Sequence, residues 1–112
     1  MKILFFTKSK PYTLKILKDL LAKGHQVTVV CKSYESFKNS EMEQYCQNNG
    51  VVVWENDELS LKDNLVKLSS YDLGISNTYG RLIKKEVIEA LKGRIQELLE
   101  EELAEVAEGV YD

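Results

Sequence analysis

Lys2-Ile3-Leu4-Phe5-Phe6-Thr7 and Gln26-Val27-Thr28-Val29-Val30-Cys31 bracket a stretch, Tyr12 to Lys23, in which Leu14, Ile16, Leu17, Leu20 and Leu21 recur at spacings of three and four. The two flanks are nearly continuous runs of apolar and β-branched residues. That pattern suits strands covered on both faces, as in a parallel sheet, more than strands with one wet face. The middle is an amphipathic helix, with Pro11 suited to its opening turn and Gly24 placed where a C-terminal cap belongs. Strand, helix and strand in this order form a parallel unit with a right-handed crossover.

Working outward, the unit repeats. A second helix is predicted from about Ser40 to Gln47, ended by Asn48-Asn49-Gly50, and Val51-Val52-Val53-Trp54 supplies a third strand. Leu61, Leu65 and Leu68 mark a helix within residues 60–68. Tyr71 to Ser76 reads as a fourth strand, in which Gly74 allows close backbone approach. Asn77-Thr78-Tyr79-Gly80 is a turn, and Lys84 to Leu91 a further helix broken by Gly93. The predicted fold is α/β, a Rossmann-like open parallel sheet of about four strands with flanking helices.

From Gln96 to Glu108 the composition changes to Glu, Leu, Ala and Val, with Ile95, Leu99, Leu103, Val106 and Val110 along one stripe. This predicts an acidic amphipathic helix. Residues 1–95 are thus expected to form one α/β domain and 96–112 a helical tail packed on it. The alternative burial for the stripe is another chain, including a homodimer seam through residues 94–109.

Charge follows the same division. Residues 1–95 hold all fifteen Lys and Arg and eleven acids, while 96–112 hold seven acids, for a net charge of −3. A mildly basic body without Arg clusters or interleaved aromatics argues against nucleic-acid recognition, although it could attract phosphate or a polyglutamate tail. The longest apolar runs, such as Ile3 to Phe6, fall far short of the roughly 20 residues of a membrane span, so neither a signal peptide nor a membrane helix is expected and a cytoplasmic location is. Cys31 and Cys46 have no metal-ligand spacing and read as two free thiols.

In a parallel α/β sheet, ligands bind at the loops beyond the carboxyl ends of the strands, here Thr7–Tyr12, Cys31–Ser36, Trp54–Glu58 and Ser76–Arg81. Thr7-Lys8-Ser9-Lys10 lacks the glycines of a dinucleotide fingerprint, which argues against nicotinamide or flavin held in the usual way. His25, the single histidine, falls in a helix-to-strand turn at the opposite edge and reads as a turn residue, not a general base. No His, Cys and Asp spacing suits a metal. The most unusual stretch is Asn77 to Ile83, where amide, hydroxyl, aromatic, glycine and arginine follow one another. Backbone beside a glycine can read the edge of a flat heterocycle while Leu82 and Ile83 cover its face.

Tyr71-Asp72-Leu73-Gly74-Ile75-Ser76 followed by Tyr79-Gly80-Arg81-Leu82-Ile83-Lys84-Lys85-Glu86-Val87 resembles the folate-dependent formyltransferase family. Met1-Lys2-Ile3-Leu4-Phe5-Phe6, Leu20-Leu21-Ala22-Lys23-Gly24-His25 and Gln26-Val27-Thr28-Val29-Val30 look like the start of methionyl-tRNA and sugar N-formyltransferases. The resemblance covers residues 1–95. It implies 10-formyltetrahydrofolate as formyl donor, its pterin ring held partly by main chain of the loop Asn77, Thr78, Tyr79, Gly80, Arg81, Leu82 and Ile83. Where the family continues into a segment bearing catalytic Asn and His, complemented by a later Asp, this chain has Gln96-Glu97-Leu98-Leu99-Glu100. Formyl transfer needs a base for the amine proton and donors for the oxyanion. The resemblance therefore implies a truncated or degenerate N-terminal domain, with no catalytic residue assigned and no transfer expected from this chain alone. Two other readings stand beside it: an interaction module pairing through the C-terminal helix, and the front domain of a sugar-nucleotide-dependent transferase.

Overall fold

A computed structural model describes residues 1–77, 79 and 83–97 of the chain. Strand β1 (Lys2–Thr7) leads through loop 8–10 into helix α1 (Pro11–Ala22), then β2 (Gln26–Cys31), a single turn α2 (Tyr34–Phe37) and α3 (Glu41–Asn49). Next come β3 (Val53–Glu55), a 3₁₀ turn (Asn56–Ser60), α4 (Lys62–Leu68), β4 (Leu73–Asn77), α5 (Lys85–Ala90) and β5 (Ile95–Glu97). The sheet order is β3-β2-β1-β4-β5, and every pairing is parallel.

The continuous apolar runs have the meaning that their pattern suggests. Ile3, Leu4, Phe5 and Phe6 are all fully buried, because each face of β1 has its own helical layer. Ile3 and Phe5 join Leu17, Leu20, Val29 and Met42 under α1 and α3, while Leu4 and Phe6 join Val30, Leu68, Val87 and Leu91 under α4 and α5. Burying one such side chain contributes about 1.5–3 kcal/mol, so the central strands carry a large part of the stability. Tyr71 also fills the second layer, with its hydroxyl 2.6 Å from Thr28 Oγ1.

Several boundaries differ from the sequence reading. The third strand begins at Val53, not Val51: Gly50 caps α3 in the left-handed region at φ 66°, and the chain only reaches sheet register where Val29 aligns with Val53. The fourth begins at Leu73 and extends through Asn77, which pairs with Thr7 instead of starting a turn. The sheet also has a fifth strand, which takes Ile95, Gln96 and Glu97 where the apolar stripe suggested the opening of a helix. Gly93, at φ 74°, turns the chain after α5, and the Gly74 amide donates to the Arg94 carbonyl at 2.6 Å, so pairing with β4 overrides the local helical propensity. The remainder of the expected tail helix lies outside the described residues. No helix among the described residues is long and apolar enough to cross a membrane.

Candidate functional site

The chain moves outward from β1 to β2 and β3, then returns to the other side of β1 for β4, and such a reversal opens a crevice at the carboxyl ends of the strands that flank it. Thr7 and Asn77 are paired at that point, about 4.8 Å apart across the sheet, and both side chains are buried. Thr7 Oγ1 donates to the Lys8 carbonyl at 3.1 Å. Thr13, also fully buried, accepts from the Lys10 amide at 3.0 Å and donates to the Lys8 carbonyl at 2.8 Å. Two threonines thus hold the backbone of loop 8–10 while the Lys8 and Lys10 side chains remain exposed.

A cleft of about 520 Å³ opens between this loop and the end of β2, lined among others by Ser9, Lys10, Cys31, Lys32, Ser40 and Glu41. Its far wall is tied to its near wall. Ser9 Oγ accepts from the Met42 amide at 3.2 Å, and Ser40 Oγ, the N-cap of α3, accepts from the Glu43 amide at 3.1 Å. Burial pushes the Cys31 thiol up to about 11, with Glu55, Glu58 and Glu43 adding to the rise against a lowering backbone hydrogen bond. Burial alone pushes Cys46 to about 12. Both are free thiols, protonated at neutral pH and hence not nucleophiles.

His25 sits at the amino edge as expected, its Nδ1 2.8 Å from the Met1 amino group and remote from the cleft in the fold. Among the described residues no cluster of three or more His, Cys, Asp or Glu is suited to a metal ion.

The loop singled out from the sequence contributes in an unexpected manner. Asn77 closes β4, and Tyr79 is 3% exposed, its ring edge-on to Phe6 at 5.3 Å. The Tyr79 hydroxyl donates to Asn56 Oδ1 at 2.5 Å and lies 3.4 Å from the Cys31 carbonyl oxygen. Its side chain is therefore a tether joining the loops after β2, β3 and β4. Ile83 packs partly buried on the same apolar cluster. Thr78, Gly80, Arg81 and Leu82 lie outside the described residues. Sequence reasoning missed the roles of Thr13, Asn56 and Ser40; for Thr13 and Ser40 the available signal was a hydroxyl residue at the entry of a helical run, where such side chains hold backbone amides.

Fold and crevice together define the class: an α/β domain with a Rossmann-like parallel sheet, whose connecting loops converge at its carboxyl edge. No model of a known protein family matches the chain, and no curated protein matches it.

Proposed function

We propose that this chain is the donor-binding half of a folate-dependent formyltransferase, taking 10-formyltetrahydrofolate on the loop Asn77–Ile83. The observation that supports the reading is positional: the loop that bears the formyltransferase-like sequence leaves β4 at the reversal of the sheet, where ligands of open α/β sheets bind. The buried Tyr79 side chain is consistent with recognition through main chain, because its ring packs on Phe6 and its hydroxyl bonds to Asn56. The buried thiols are held protonated at neutral pH and His25 is at the opposite edge, so the role assigned is binding and not formyl transfer.

Calorimetric titration with 5-formyltetrahydrofolate, a stable donor analogue, tests this. Saturable heat is expected, and it should be lost in Gly80→Val and reduced in Arg81→Ala. Tyr79→Ala is unsuitable as a probe, since emptying its core position would itself cost about 3–5 kcal/mol. Absence of heat with the intact protein at ligand concentrations of about 1 mM would refute the assignment.

A further inference from the structure

Strand β3 forms one edge of the sheet, and the sequence around it is of a kind that pairs readily. Val51-Val52-Val53-Trp54 is uncharged and almost wholly β-branched, and Val52 is 51% exposed. An edge of that composition is open to addition of another strand, including the same strand of a second copy. The polar groups it presents follow from the ladder. The Val29 amide donates to the Val52 carbonyl at 3.0 Å, and Val29 aligns with Val53. In a parallel pair alternate residues turn their main chain toward the neighbouring strand, so Val52 and Trp54 face β2 while Val53 and Glu55 present their N–H and C=O groups outward.

Both outward residues meet side chains from neighbouring turns. Glu58, in the 3₁₀ turn that follows β3, accepts from the Glu55 amide at 2.9 Å through Oε1. The same oxygen accepts from the Tyr34 hydroxyl, which also lies 3.5 Å from the Val53 carbonyl oxygen. Tyr34 opens α2, and its own amide donates to Glu55 Oε2 at 2.9 Å. The Glu55 carboxylate also accepts from the Glu58 amide, which closes a capping box. With Phe37, Cys46, Val51 and Val53, Tyr34 lines a pocket of about 240 Å³ beside the strand. Tyr34 is nevertheless 45% exposed, so these hydrogen bonds hold it at the edge more than burial does.

We propose that Tyr34 and Glu58 form a clasp that closes the edge of β3 to a second copy of this chain, and that opening the clasp turns this edge into a strand-pairing surface. A second copy adds antiparallel about a two-fold axis, so that the outward groups of Val53 and Glu55 meet main chain and the sheet continues from one β3 to the other. The clasp opposes this by occupying the Glu55 amide and by standing the Tyr34 hydroxyl and Glu58 carboxylate where the incoming main chain has to lie. A two-fold seam also gathers the carboxylates of both copies, and their repulsion adds to the barrier.

The test is residue-resolved amide hydrogen exchange on the full chain, with sedimentation of the same samples; no folate is present, so the outcome is independent of the donor-binding reading. In the wild type the Val53 amide should exchange at a rate independent of protein concentration. Glu58→Ala removes the acceptor of both the Glu55 amide and the Tyr34 hydroxyl. In that variant protection at Val53 and Glu55 should rise with concentration, alongside dimerisation tightened by roughly tenfold or more. Tyr34→Phe keeps the ring and removes only the hydroxyl, so a smaller shift in the same direction is expected. Adding Val52→Lys to either variant charges the edge at an exposed position and should restore wild-type association. The clasp is overturned if Val53 shows no concentration-dependent protection in either variant at about 1 mM, or if the wild type already shows it. Dimerisation that persists after Val52→Lys places the seam on another surface and overturns the proposal equally.

Discussion

Cys31 and Cys46 show at single-residue scale how burial sets chemistry. Both thiols have folded-state values above the ordinary 9.0, at about 11 and about 12, chiefly through burial. A raised folded value means that the unfolded chain releases these protons first as pH rises. Their contribution to stability is therefore complete below about pH 9 and is lost progressively between 9 and 11–12. The expected outcome is a fall in urea midpoint over that window that is shallower in a Cys31→Ala, Cys46→Ala variant; identical slopes would show that the thiols do not contribute. Tyr79 makes the complementary point about what a sequence reveals. Its place in a polar, glycine-containing turn suggests a ligand contact, yet the ring is spent on Phe6 and the hydroxyl on Asn56, a partner 23 positions away. Local composition reports on a turn but has no means of reporting such a distant acceptor. Lys8 and Lys10 are near each other in sequence, whereas Lys32 and Ser40, which line the same cleft, join them only through the sheet.

Elements were legible where their period was strong. Helix α1 follows its leucines to within a residue, and β1 and β2 have the expected bounds, because continuous apolar runs can only be satisfied between two layers. Short elements were less legible. Only Ile95 in Ile95-Gln96-Glu97 favours a strand, and β5 forms because β4 presents an open edge that it completes. That pairing depends on Gly74. A Cβ built there would stand 2.9 Å from Ile95 Cγ1, 3.3 Å from Leu91 Cδ1 and 3.4 Å from the Arg94 carbonyl oxygen. Gly74→Ala should thus push β5 and the end of α5 away from β4 and cost about 1–3 kcal/mol, read as a lower urea midpoint at unchanged slope. An unchanged midpoint would mean that Ile95 and Leu91 yield freely and that β5 adds little to the sheet.

At the scale of the whole molecule, the two apolar layers share no residue among those described, and the middle strands of the sheet supply side chains to both. Ile3 and Phe5 belong to one layer and Leu4 and Phe6 to the other, so opening β1 exposes both at once. The edges are different. In β3, Val53, Trp54 and Glu55 are only partly buried over three residues, and β5 is equally short. Opening an edge strand uncovers one neighbour and part of each layer, so its free-energy cost lies below that of global unfolding. Native-state hydrogen exchange should accordingly show the amides of Leu4 to Phe6, Val29, Val30 and Ile75 exchanging only through global unfolding. Those of β3 and β5 should exchange sooner and with weaker dependence on denaturant. Protection as high at Trp54 as at Phe5 would show instead that the edges open only with the centre, making the sheet one cooperative unit and the convergent loops above it as rigid as its core.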